Sequence, residues 1–374
     1  MLALFVLKIC NKNGKVIMKN NGFKILSLEN DYFEYSDLFN KIKKKNIFFH
    51  PSYLKSVQYA EKYPVKIMVF VENEKIMMIP YVFRRINDLP LFNKLKYELL
   101  DIISPYEYSY IFSNITKEAE YNSLLNKLFK SVENYCKNNN IVTEFIRFDP
   151  FLSKVNYTNT NYFIRKSCDN VYIDLRKESK EIIKSFHRSV KKNINRAVAS
   201  NLKFIQADKK DENIDSFINL YRNSMQRLKA DDYYYFSDEY FRRLIKDCES
   251  VSLFFVQDEN NPPFAASILL HYGDVAHHHL TGYNKESKCF RPNDYMIYSL
   301  IHWAKNSGLK LLHLGGGSES ICKFKSKFSN TKIPYYIGYK VHNLRMYQVL
   351  CNIWRKKNKN YKNSEYFPLY RSKN

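Results

Sequence analysis

The residues best placed to do chemistry cluster late in the chain, in "LHLGGGSESICKFKSKFS" at 312–329. Gly315, Gly316 and Gly317 follow an apolar run and lead to Lys323, Lys325 and Lys327, which is how a phosphate cradle begins. A P-loop, however, needs two glycines flanking four residues, then Lys and Ser or Thr. After Gly315 this chain reads Gly-Gly-Ser-Glu-Ser. A dinucleotide fingerprint fails too, because Ser320 stands where its last glycine is needed. What remains is a tight turn from a buried strand into a helix, with a backbone that a ligand can approach closely. The cations beyond it could stabilise the negative charge that grows on a carbonyl oxygen when an amine attacks an ester or thioester. A solvated helix end explains three lysines equally well.

A second run, "HHH" at 277–279, raises a metal. On a strand His277 and His279 share one face and His278 points to the other. No carboxylate or cysteine completes a ligand set in the sequence, so no metal is expected; one of the histidines could act as base for an attacking amine. The cysteines (Cys10, Cys136, Cys168, Cys248, Cys289, Cys322, Cys351) form no CxxC pair. That pattern argues against a zinc module or a disulfide framework and for a reducing compartment.

These groups have to be positioned by a chain of 374 residues, long enough for two cores, since one core rarely grows past about 250–300 residues. Aromatics carry much of the apolar content, Tyr 31 and Phe 27 against Trp 2. Lys+Arg 60 against Asp+Glu 37 leaves a net charge of +23. Such a balance suits nucleic acid, phosphorylated substrates or an anionic membrane face, but a composition rich in Asn, Lys, Ile and Tyr produces it without any such partner. "MLALFVLKIC" has no basic start and no cleavage site, and no apolar run reaches the ~18 residues of a span. A cytoplasmic protein is expected, with peripheral contact at the inner membrane face as one use of the charge. Met18 is an alternative start to Met1.

The elements come in one order, twice. In the second half, "NIDSFINLYRNSMQRL" and "SDEYFRRLIKDC" have helical spacing. The strands "VSLFFVQ", "FAASILLHY" and "VAHHHLTGY" follow as a meander, then the helix "PNDYMIYSLIHWAKNSG" and the strand "LKLLHL". A short helix "ESICKFKSKF" and a strand "PYYIGYKV" close the half. The first half repeats this order more weakly: two helices at 31–45 and 51–62, a meander within 65–103, a helix at 121–138 and a strand at 142–148. An internal duplication of an α+β unit is the simplest explanation. The expected division is 18–165, then 166–350 with a linker helix at 178–200, then a flexible basic tail at 351–374. The stretch 180–203, the linker helix and the residues just past it, carries Lys184, His187, Arg188, Lys191, Lys192, Arg196 and Lys203, a face that could meet tRNA phosphates or an anionic membrane.

This order resembles the GNAT acyltransferase fold, and two copies in tandem resemble the FemAB-like family, which includes the aminoacyltransferases that build peptidoglycan cross-bridges. "SPYEYSY" at 104–110 is similar to the family's Ser-Pro-Tyr-Gly-Tyr segment, with Glu107 in place of the glycine. The linker helix, "YRNSMQRLKADDYYYFSDEYF", "RPNDYMIYSLIHWAKNSGLKLLHLGGG" and "CKFKSKFS" carry the rest of the resemblance, which is good over 165–345 and thin before 100. It implies catalytic roles for Phe324 and Lys325, with Lys325 stabilising charge and Phe324 packing on the donor. It also implies acceptor contacts from Arg227, Lys55, Tyr106 and Tyr108, and a donor cleft beside Gly315, Gly316 and Gly317. Glu107 puts the acceptor's identity in doubt.

Three functions are compatible. The first is aminoacyl transfer from aminoacyl-tRNA to an amine of a peptidoglycan or other surface-glycan precursor. The second is an acyl-CoA-dependent N-acetyltransferase acting on an amino sugar; "SKCFRPNDYM" lacks the glycines of the usual CoA motif, which weakens that reading. The third is a tandem scaffold that grips RNA or lipid phosphates without turnover. No bound cofactor is expected in any of them.

Overall fold

The computed structural model describes residues 21–152, 162–359 and 366–372. Two copies of one element order account for most of it. The first runs β1 (Gly22–Ser27), α1 (Tyr32–Asn40), α2 (Pro51–Glu61), β2 (Val65–Glu72), β3 (Lys75–Arg85), β4 (Leu100–Ile103), the two-residue β5 (Phe112–Ser113), α3 (Glu118–Asn138) and β6 (Ile141–Arg147). A strand β7 (Phe163–Asp174) and two helices, α4 (Ser179–Ser185) and α5 (Arg188–Ala199), lead to the second. That copy is β8 (Lys203–Ala207), α6 (Asp211–Arg227), α7 (Asp238–Asp247), β9 (Val251–Gln257), β10 (Ala265–Tyr272), β11 (Val275–Tyr283), α8 (Pro292–Asn306) and β12 (Leu311–Gly315). The chain continues through α9 (Glu319–Lys325), β13 (Lys332–Val341) and α10 (Leu344–Lys357).

All the strands belong to one sheet, in the order β1-β2-β3-β4-β6-β13-β7-β12-β11-β10-β9-β8, with β5 against β3. In each half one neighbouring pair is parallel, β4 with β6 and β11 with β12, because a helix carries the chain back between them. The strand that completes each half comes from outside its repeat. β13, which follows the second repeat, pairs with β6 of the first, and β7, which follows the first, pairs with β12 of the second. β7 and β13 also pair with each other, antiparallel. The expected boundary at 165/166 therefore falls inside β7, in the middle of a continuous sheet.

One apolar cluster joins the halves. Tyr35, Leu38, Tyr53 and Val57 of α1 and α2 pack with Phe217, Tyr221, Tyr240 and Phe241 of α6 and α7. The other helices serve one half each: α3 buries Leu124, Leu128 and Val132 against the first, and α5 and α8 bury Val190, Ile194, Ile297 and Leu300 against the second. Among the described residues no helix is long and apolar enough to cross a membrane.

Two expectations need correction. The linker helix at 178–200 is broken at Phe186, whose ψ of 142° is extended. Phe186 turns into the core of the second half, and His187 caps α5 by accepting from the Ser189 amide. The region at 351–374 is not a flexible tail over its described part. Leu350, Cys351 and Trp354 of α10 pack with Leu369 and Tyr370 on Ile86, Phe92 and Val142 of the first half. Arg371 reaches the buried Asp101 at 2.6 Å. Its basic residues Arg355, Lys356 and Lys357 occupy the last turn of α10, where cations favour the helix dipole. Residues 360–365 and 373–374 of that segment lie outside the described residues, as does the opening to Asn20 with both candidate starts.

Candidate active site

The parallel pairing of β11 with β12 lasts only from Val275 to His277, opposite Leu311 to His313. Beyond it the strands part. β12 keeps its pairing with β7 from Leu311 on, slipping register before Gly315, which has φ +77° and lies opposite Val171. In β11 the register against β10 slips, with Leu280 opposite Ile268 and His278 opposite Leu269. His279 is the extra residue, and a bulge of this kind re-aims side chains locally. The opening between the two strands is the cleft in which the candidate residues meet.

Lys325, at the end of α9, turns into it. Its ammonium donates to the carbonyl oxygen of Gly316 at 2.6 Å. A Cβ at Gly316 would come within 2.5 Å of Asn170 Oδ1 and 2.9 Å of Cys168 Sγ, so any side chain there would push those two groups aside. Gly317 accepts from the Cys322 thiol at 3.3 Å through its carbonyl. Burial pulls the Lys325 ammonium down to about 8, with the Glu107 carboxylate, Cys322 and Cys168 opposing. Phe324, one position earlier and so turned away, packs edge to face on Phe328 at 5.4 Å.

The opposite wall comes from the first half. After β4 the segment 104–111 stays tied to β6 at Ser104 and Ser109 while Tyr106, Glu107 and Tyr108 between them reach the cleft, buried almost throughout. Tyr106 packs edge-on to Phe236 at 5.0 Å and His279 at 5.5 Å. Tyr108 accepts from Asn170 Nδ2 at 2.8 Å and meets Tyr335 of β13 at 5.3 Å. Between them Glu107 has φ +70°, a conformation that suits glycine. Its Oε1 lies 3.2 Å from His279 Nδ1, off the line of a hydrogen bond, and His279 Nε2 lies 3.0 Å from the Tyr240 hydroxyl.

The other histidines have different uses. His277 Nδ1 is bonded to His313 Nδ1 at 3.0 Å. Burial drives His277 and His278 each down to about 3, the Lys325 charge adding to that at His278. Both are neutral at physiological pH. Their Nε2 atoms and that of His313 are buried without a partner among the described residues. No group of three or more His, Cys, Asp or Glu that could hold a metal occurs among the described residues.

The structure thus brings together Lys325, Gly315, Gly316, Gly317, Tyr106 and Tyr108. Arg227 lies at the far end of β11, where it donates to the Tyr283 carbonyl at 3.1 Å and stacks over that ring at 4.1 Å. Lys55 is exposed on α2, 5.5 Å from the Tyr32 ring, and does not join the buried cluster. Cys168, Asn170 and Tyr335 were not foreseen. They come from β7 and β13, and only the strand exchange places them at the cleft.

Residues 184–326 match the family model for an acetyltransferase (GNAT) domain. The same fold recurs in solved structures: FemX is 13% identical, with 85% of this chain and 98% of that one covered and a TM-score of 0.62. The protein has a tandem GNAT fold. L-PGS from Bacillus licheniformis shares it at 12% identity, covering 82% of this chain and 91% of that one with a TM-score of 0.54. No curated protein matches the sequence. This tandem GNAT protein therefore carries an acyltransferase domain, and the cleft between β11 and β12 lies within the matched segment.

Proposed function

We propose that this protein forms an amide bond by transferring an acyl group to a primary amine of a cell-envelope precursor, with aminoacyl-tRNA as the donor. The observation that carries this reading is the half-buried Lys325 ammonium, held by the Gly316 carbonyl at the point where β11 and β12 part. An ammonium has three N–H donors, so two remain for the oxyanion of a tetrahedral intermediate, and a water-poor site strengthens that interaction. Tyr106 and Tyr108 line the acceptor side, and Arg227 and Lys55 are proposed to reach acceptor phosphates nearer the surface.

A cavity of about 590 Å³ adjoins α9, lined in part by His187, Cys322, Lys323, Lys327, Asn330 and Lys332. Cys322 joins cavity to cleft, since its thiol meets the Gly317 carbonyl. Phosphates of a donor lying in this cavity would bring the acyl end toward Lys325. Acyl-CoA has phosphates too, and the acetyltransferase model matched by 184–326 favours it as the second reading.

The test is binding of the purified protein to acetyl-CoA and to a bulk aminoacyl-tRNA pool at two salt concentrations. Affinity for aminoacyl-tRNA that depends on the aminoacyl group and falls with salt, by about 0.7 in log-log slope per phosphate contact, supports the first reading. Micromolar acetyl-CoA binding with indiscriminate RNA binding supports the second. Tight RNA binding without turnover would mark a non-catalytic scaffold.

A further inference from the structure

We infer that Glu107 is the seat of the attacking amine, and that it favours primary amines that arrive as ammonium ions. This rests on the acyl-transfer reading above and adds the acceptor's chemistry to it. The carboxylate faces the cleft from the wall opposite Lys325, with 23% of its side chain exposed while His279 behind it is 1% exposed. It accepts no hydrogen bond from the described residues, although a carboxylate offers about four acceptor sites. Of the groups that oppose the effect of burial on the Lys325 ammonium, Glu107 is the strongest. Yet the two charges lie farther apart than the 4.0 Å of a salt bridge. An anion and a cation therefore face one another across a gap, rather than cancelling in a contact.

The backbone makes a second, independent point. With φ +70° Glu107 pays conformational strain that glycine would not. Strain retained at a cleft points to a use for the side chain. Behind it lies His279, its Nδ1 3.2 Å from the carboxylate and its Nε2 bonded to the Tyr240 hydroxyl at 3.0 Å.

In the step that follows, the bound ammonium gives one proton to Glu107, which releases it to solvent. The freed lone pair attacks the carbonyl carbon, forming the C–N bond and an oxyanion beside Lys325. The adduct collapses with cleavage of the C–O or C–S bond. The second N–H proton leaves with the departing oxygen or sulfur, so the products are a neutral amide and an alcohol or thiol.

The experiment measures acyl transfer, above the uncatalysed background, from the aminoacyl-tRNA pool and from acetyl-CoA. Two acceptors are compared: glycinamide, which is partly protonated at neutral pH, and hydroxylamine, which is not. Glu107→Gln should lower transfer to glycinamide by on the order of 100-fold and leave transfer to hydroxylamine within about threefold. Glu107→Gly should do the same while leaving Tm unchanged or raising it by about 1–2 °C. Glycinamide transfer within threefold of wild type, or an equal loss with both acceptors in a variant of unchanged Tm, overturns the inference while acyl transfer stands. A wild-type protein that transfers from neither donor to either acceptor overturns the acyl-transfer reading, and this inference with it.

Discussion

Each half of the sheet has one parallel strand pair, and the two differ in what happens where the pair ends. In the first half the Ser104 amide still bonds to the Phe145 carbonyl at 2.9 Å, and after a short excursion the chain rejoins β6 in the same direction, with Ser109 bridging Phe148. The carboxylates nearby are saturated. Glu144 meets Tyr81, Tyr162 and His342, and Asp101 meets Arg84, Tyr370 and Arg371. In the second half the strands part, and His277, His278 and His313 keep buried ring nitrogens without partners among the described residues. The same architecture therefore gives a sealed joint in one copy and an open one in the other. The segment that seals the first, 104–111, is also the wall of the second.

The largest expected effect tests the open joint. Lys325→Ala should lower transfer by about 10²–10³, the cost of removing one oxyanion donor, while circular dichroism shows a folded protein. Lys325→Met should do the same with Tm unchanged or raised, because a buried cation is lost. Activity near wild type would falsify the assignment. The sealed joint should respond in the opposite way. Asp101→Asn leaves Arg84 and Arg371 partly unpaired in a buried setting, which costs about 3 kcal/mol. Denaturant unfolding would show this, with transfer per folded molecule near wild type; a loss of turnover without a loss of stability would erase the distinction between the joints.

Smaller effects sharpen the comparison. Lys325 has to be an ammonium to stabilise an oxyanion, and its pKa is pulled down to about 8. The charged form dominates below that pH and is lost above it, so transfer should fall by up to about tenfold per unit as pH rises beyond 8. Of the groups facing it, Glu107, Cys322 and Cys168 hold the fall to higher pH, while His278 and His313, kept neutral by burial, add no charge. A rate still climbing with pH well above 8 would mean that neutral Lys325 suffices. The smallest change is expected at Lys55, exposed over Tyr32. Lys55→Ala should alter stability by less than about 0.5 kcal/mol, and the KM for the acceptor tells whether that lysine touches it at all.

Much of the fold was legible because its elements are strongly patterned. "VSLFFVQ" and "VAHHHLTGY" coincide with β9 and β11, and "PNDYMIYSLIHWAKN" with α8. β1 and β8 escaped notice because each is short and lies at an edge, where half-exposed positions blur the alternation. α10 was read as tail because its lysines and arginine draw attention from Leu350, Cys351 and Trp354. The site was legible only in part. Gly315 to Lys325 is a local signal that survives as a sequence motif. The contributions of Cys168, Asn170 and Tyr335 depend on strands donated between halves, and nothing local marks a strand as donated. Glu107 could be seen as a departure from a glycine, but its pairing with His279 could not.

The exchange of β7 and β13 also sets an order of events on the ribosome. The first repeat is complete at Arg147, yet the strand that covers the edge of β6 begins only at Lys332. For the synthesis of nearly half the chain, that edge has to wait unpaired, the condition in which nascent proteins most readily associate wrongly. The candidate cleft gains Tyr335 at the same moment. Nascent chains truncated anywhere before β13 should therefore combine an open edge with an incomplete site, so premature products would be cleared for their exposed strands before they could act.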